Sequence, residues 1–146
     1  MEKEMIITRE LINKLVERAR QSAENAYCPY TNVPVGCSIL LDNNVVIVGC
    51  NIENAVLSSC ADAGEVAIFK AVSEGFTKFR AICFWSHSRK PYPSGKVRQL
   101  LSEFNRNLSI VVATDKDSSV EPDFDVFSLS QIFPVPPLPE VSLDEQ

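Results

Sequence analysis

Cationic residues are scarce in this chain, with 14 Lys and Arg against 19 Asp and Glu, a net charge of −5 and a pI near 4.9. A grip on a phosphate backbone or an anionic membrane needs clustered Lys and Arg, so neither a nucleic-acid polymer nor a membrane surface is an expected partner. Long apolar runs are missing too: nothing approaches the ~18 residues of a membrane span. Met1 to Arg20 is too charged for a signal peptide, which points to a cytoplasmic protein. The five cysteines (Cys28, Cys37, Cys50, Cys60, Cys83) are an odd number without a C-x-x-C pair, which argues against a disulfide framework and suits a reducing compartment. There is one histidine, His87, and no internal repeat. What remains is ordinary globular material, 45% hydrophobic and 23% charged, which excludes disorder, collagen and coiled coil for 146 residues. Such a length holds one domain.

Hydrophobic periodicity divides the chain. Thr8 is an N-cap for a helix with Leu11, Ile12, Leu15, Val16, Ala19, Ala23 and Ala26 on one face. A Pro-containing loop, 27–34, follows, then two β-rich runs, Val35 to Leu41 and Val45 to Cys50, joined by Asp42-Asn43-Asn44 as a hairpin. Asp62 caps a second helix running to Gly75, whose apolar residues Val66 to Phe69, Ala71 and Val72 predict extensive burial. Ala81 to Trp85 and Ser109 to Ala113 read as buried strands, with a loop from His87 to Gly95 and a helix over Lys96 to Phe104 between them. A short helix is expected around Phe127 to Phe133. Residues 1–133 form the expected domain, and 134–146 a Pro-rich acidic tail whose Pro134 to Pro139 cannot be helix or central strand and suits polyproline II. This order predicts an α/β fold with helices covering a mixed sheet.

Three segments, Ala26 to Gly36 (AYCPYTNVPVG), Gly49 to Ala55 (GCNIENA) and Ala67 to Gly75 (AIFKAVSEG), resemble the small cytidine deaminases that act on free nucleosides. Arg98 to Phe104 resembles the helix after that family's second zinc-ligand motif. The resemblance covers roughly residues 19 to 134. It implies a three-layer αβα fold around a five-stranded mixed sheet, and often a homotetramer.

In that family zinc is held by a Cys or His of a C-A-E motif and by two Cys of P-C-x-x-C, while the Glu moves protons between the zinc-bound water and the base. Zinc lowers the pKa of its water to about 7 and the Glu moves the proton, so both parts are needed. Counted without gaps from Asn51, C-A-E-R falls on Asp62-Ala63-Gly64-Glu65, and P-C-G-x-C-R-Q on Pro93-Ser94-Gly95-Lys96-Val97-Arg98-Gln99. The ligand positions are therefore Asp62, Ser94 and Val97, too few donors for tetrahedral zinc. The catalytic Glu position is Gly64, which cannot carry a proton. Glu65 replaces an Arg whose role is to offset thiolate charge. The implied state is a site emptied as a unit, with no zinc cofactor and no catalytic residue. An alternative register makes Cys60-Ala61-Asp62 the C-A-E, with Cys60, Asp62 and His87 as a metal site and zinc retained.

Val33, Asn51, Glu53 and Ala55 match the nucleoside-binding part of the family. Asn51 and Glu53 correspond to the pair that hydrogen-bonds the ribose, Val33 to a pocket Phe, and Leu57 to a Tyr. The loss of a stacking aromatic weakens nucleoside binding. These residues are either a weak pyrimidine nucleoside site or relics whose hydrogen bonds hold the loop. The family's C-terminal Phe after Leu-Leu-Pro is missing, because Ile132-Phe133-Pro134 continues as Val-Pro-Pro. The resemblance thus implies an inactive homologue serving as a structural, oligomerising or regulatory subunit, paired with itself or with an active paralogue. The alternatives are a zinc-dependent deaminase of cytidine or deoxycytidine with a rearranged site, and a pyrimidine nucleoside sensor.

Overall fold

The structure, a computed structural model, describes residues 7–115 and 121–137. Helix α1 (Arg9–Ala23) starts where Thr8 accepts a hydrogen bond from the Leu11 amide. Strands β1 (Gly36–Leu41) and β2 (Val46–Cys50) form the expected hairpin. Its turn is closed by Leu41 N–H donating to Val45 O at 2.9 Å, with Asn44 at φ 66°. Asn tolerates that left-handed conformation because its short amide bonds locally.

Helix α2 (Ala63–Ser73) is capped by Asp62 and stops at Gly75, where φ is 90°. Strand β3 (Phe79–Trp85), helix α3 (Gly95–Ser102) and strand β4 (Ser109–Thr114) follow as a parallel crossover, β3 starting two residues before the apolar run suggested.

The C-terminal part departs from expectation. Strand β5 (Asp123–Ser128) pairs antiparallel with β4, and only Leu129–Ile132 is helical, as α4. Phe127 and Ser128, expected in the helix, belong to the strand. Antiparallel pairing with β4, which extends to Ser109 opposite Ser128, governs here, and Ser128 starts α4 as a capping box with Gln131. Of the segment 134–139, Pro134 to Pro137 form no helix or strand and Pro136 is buried; 138 and 139, and the acidic tail after them, lie outside the described residues.

The sheet order is β2-β1-β3-β4-β5. Alternation along β1, β3 and β4 splits the interior in two. Ile39, Ile82, Phe84, Ile110 and Val112 face α2, α3 and α4. Leu40, Ala81, Cys83, Trp85 and Val111 face α1, meeting Ile12, Leu15, Val16 and Ala19. This is the three-layer α/β arrangement.

Two glycines set the layer spacing. A Cβ on Gly36 would lie 1.7 Å from Ala19 O of α1, and one on Gly49 would lie 2.6 Å from Ala67 N of α2. Ser38 Oγ donating to Leu15 O and Ser22 Oγ donating to Gly49 O, both at 2.7 Å, fasten α1 to the sheet. Burial of α2 is less complete than its composition predicts: Ala67, Ile68 and Ala71 are buried, but Phe69 is 50% and Val72 39% exposed. A helix apolar on nearly all sides has more than one face to cover, and this chain alone covers one. Among the described residues no helix is long and apolar enough to cross a membrane.

Candidate functional site

The N-termini of α2 and α3 meet on one side of the sheet. Their caps explain the local geometry: Asp62 and Ser94 hold extended backbone and turn their side-chain oxygens onto the first helical turn. Asp62 Oδ1 accepts from Glu65 N–H at 2.9 Å, and Ser94 Oγ accepts from Val97 N–H at 3.3 Å. Ser94 Oγ also donates to Asp62 Oδ2 at 3.1 Å. Beside them the Lys96 ammonium lies 3.1 Å from buried Glu65 Oε2.

Behind the caps, buried Gly64 faces Val97 of α3 and Phe84 of β3. A Cβ on Gly64 would lie 2.8 Å from Phe84 Cε1 and 3.0 and 3.2 Å from the two Val97 methyls. Asp62, Gly64, Ser94 and Val97, separated in sequence, thus converge on one spot. That spot is packed with hydrocarbon from Phe84 and Val97.

The same spot does not fit zinc. It offers one carboxylate with both oxygens bonded, one hydroxyl bonded both ways, and a valine, whereas zinc takes thiolate, imidazole and carboxylate ligands in a tetrahedron. The other set, Cys60, Asp62 and His87, is not brought together: among the described residues no three His, Cys, Asp or Glu side chains are grouped so as to hold a metal ion. Cys60 Sγ accepts from Asn54 N–H at 3.2 Å and organises its own loop. His87 is exposed and leans toward Trp85, with ring centroids 6.5 Å apart. Cys60 and Asp62 lie at the start of α2, whereas His87 sits with Trp85 and with Asp115, which is bonded to Arg20 of α1, on the α1 side of the sheet.

Asn51 and Glu53 are taken up by the loop that precedes β1. Asn51 Oδ1 accepts from Val35 N–H at 2.9 Å and its Nδ2 donates to Val33 O at 2.9 Å. Glu53 Oε1 accepts from Tyr30 and Thr31 N–H at 3.0 and 3.1 Å, and Oε2 from the Thr31 hydroxyl at 2.7 Å. Three of the roughly four acceptor directions of a carboxylate are therefore filled. Val33 is half-buried and Ala55 exposed, and Leu57, in a 3-10 turn over Leu57–Ser59, is 87% exposed.

Hydrogen bonds from the Thr31 hydroxyl, and from the Thr31 and Tyr30 amides, hold the Glu53 carboxyl below its usual value against the opposing effect of desolvation. A carboxylate with a lowered folded pKa contributes stability above its unfolded pKa, lost as pH falls through the folded value. The loop latch is therefore expected to be closed at neutral pH and to open only in acid, below the ordinary carboxylate range. Hydrogen exchange at the Tyr30 and Thr31 amides should accelerate over that range. The same amides in Glu53→Leu, which has no acceptor for them, should exchange fast across that whole range.

Phe84 and Lys96 are the participants that sequence reasoning did not single out. Phe84 was legible in part, because Ile82 and Phe84 share a strand face by period two. Lys96 had no signal, since its pairing with Glu65 depends on how α3 docks beside α2.

An αβα layered protein with a mixed sheet ordered β2-β1-β3-β4-β5, and two helix N-termini abutting beside it, is the class that this fold and site define. Residues 9–106 match the family model described as "cytidine and deoxycytidylate deaminase zinc-binding region". The chain belongs to the cytidine deaminase family. It is 34% identical over 111 residues to a cytidine deaminase of Sporosarcina psychrophila, covering 75% of this chain and 82% of that protein. It is 40% identical over 92 residues to a cytidine deaminase of Halalkalibacterium halodurans, covering 61% and 68% of the two chains. The crystal structure of cytidine deaminase from Burkholderia pseudomallei superposes with a TM-score of 0.78 at 29% identity, covering 89% of this chain and 99% of that one. The Mycobacterium tuberculosis cytidine deaminase structure gives 0.70 at 29% identity, covering 85% and 94%.

Proposed function

We propose that this chain is a cytidine-deaminase-fold protein without zinc chemistry, a cytoplasmic structural or regulatory subunit that oligomerises with itself or with an active paralogue. The observation that carries the reading is the filled space at Gly64, where Phe84 and Val97 leave no room even for a Cβ. The donor set of Asp62, Ser94 and Val97 agrees with it, because each polar atom there already has a protein partner. Asn51 and Glu53 then act as loop anchors, in keeping with their bonds to residues 30–35. Residues 1–133 serve as the domain and 134–146 as its tail. Phe69 and Val72 on the outer side of α2 supply apolar surface for a subunit contact.

The test is zinc per chain, measured by elemental analysis of untagged protein purified without chelator, together with cytidine turnover. Near-zero zinc and no uridine are expected. One zinc per chain with turnover would return the rearranged deaminase. Calorimetry with cytidine and uridine adds a separate outcome, since micromolar binding without turnover would make the protein a nucleoside sensor. Light scattering alone and after mixing with an active deaminase chain reads the subunit role.

A further inference from the structure

We propose that the Asp62 carboxylate is a shared cap for two helices, tying the N-terminus of α3 to that of α2 in place of a metal cross-link. The inference goes beyond the loss of zinc by assigning the task of holding these two helices to a specific side chain. A helix N-terminus presents amide donors and a partial positive charge that a carboxylate satisfies. Here the two ends converge, and one carboxylate spans them, Oδ1 on the Glu65 amide of α2 and Oδ2 on the Ser94 hydroxyl.

That hydroxyl turns the contact into a relay. It donates to Asp62 and accepts from Val97 N–H of α3, so a continuous chain of hydrogen bonds runs from the first turn of one helix to that of the other. The Glu65–Lys96 ion pair, one residue drawn from each first turn, lies beside the relay. Its exposed lysine makes it the weaker tie, because solvent screens such pairs. Ordinary N-caps serve their own helix only, whereas the second oxygen of Asp62 is spent on the neighbour's cap.

Asp62→Ser separates the two tasks. Serine is as good an N-cap as aspartate, so α2 keeps its cap, but it has no second oxygen to receive Ser94. Hydrogen exchange in Asp62→Ser is expected to be about fivefold faster at the Val97 amide, across the helix boundary, and unchanged at the Glu65 amide. Ser94→Ala, which removes the Val97 acceptor outright, should accelerate Val97 at least as much, and the double variant should add nothing beyond Ser94→Ala at Val97. An unchanged Val97 amide in Asp62→Ser, or additive effects in the double variant, would overturn the shared cap. Zinc per chain, measured on the same preparations, keeps this separate from the proposed function. Near-zero zinc with uncoupled caps sinks the shared cap alone, whereas stoichiometric zinc sinks both.

Discussion

Gly64→Glu, which on the proposed register places a carboxylate at the family's catalytic position, is expected to destabilise the protein by on the order of 4 kcal/mol and to yield no uridine from cytidine. The cost has two parts. A Cβ alone meets Phe84 at 2.8 Å and Val97 at 3.0 Å, and both are core residues, 3% and 1% exposed, with little freedom to withdraw. Overpacking of that kind costs about 1–3 kcal/mol. The carboxylate would then sit against hydrocarbon near Asp62 and Glu65, which already carry negative charge, so burying it adds to the cost.

On the proposed function the variant gains no activity, because a general acid and base needs an activated water to work on, and Asp62, Ser94 and Val97 are a poor donor set for the zinc that would supply one. Urea midpoints for Gly64→Ala and Gly64→Glu separate the two parts: Ala should lose about 1–3 kcal/mol and Glu clearly more. Pairing Gly64→Ala with Phe84→Leu should cost less than the sum of the single changes, since the smaller side chain vacates the contested space. A Gly64→Glu protein of unchanged stability, or one that deaminates cytidine, would mean that the site is open after all.

Gly36→Ala is the second large effect, and it acts on the opposite layer. The added Cβ would fall 1.7 Å from Ala19 O and 2.7 Å from Ala19 C, backbone atoms in the middle of α1. Helix and strand would have to part by about 1.3 Å merely to reach the 3.0 Å below which Cβ atoms do not approach. That separation loosens Ile12, Leu15, Val16 and Ala19 from the sheet and stretches the Ser38-to-Leu15 and Ser22-to-Gly49 hydrogen bonds. A loss of about 4 kcal/mol or more is expected, a large share of the ~5–15 kcal/mol that stabilises a domain. The measurement is the urea midpoint, or the soluble fraction where the variant does not fold. A shift below about 0.5 kcal/mol would show that α1 does not lie so close to β1.

Much of this architecture was legible in the residues. Thr8 and Asp62 cap the helices expected of them, because capping depends on a side-chain oxygen and amides only three residues away. The hairpin through Asp42-Asn43-Asn44 is equally local. Strand β5 was misread because Phe127 to Phe133 carries apolar residues that suit either period. Its pairing with β4, which runs from Ser109 opposite Ser128 to Thr114 opposite Asp123, joins residues that no local periodicity connects. Composition also made α2 look largely buried, since sequence cannot say how many faces of an apolar helix its own chain will cover.

The candidate site divides in the same way. The sequence by itself determined which chemical groups stand at these positions: no cysteine at 62, 94 or 97, and at 64 a glycine with no proton to move. The tertiary structure alone decided what became of the space and of the surviving polar groups. Asp62 and Ser94 lie 32 residues apart, yet bond to each other because α2 and α3 abut. Asn51 and Glu53 read equally well as ribose ligands and as loop anchors, and their partners at 30–35 are set only when the loop folds back beside β2. A side chain's identity is a property of the chain, whereas the partner that satisfies it is chosen by packing at long range.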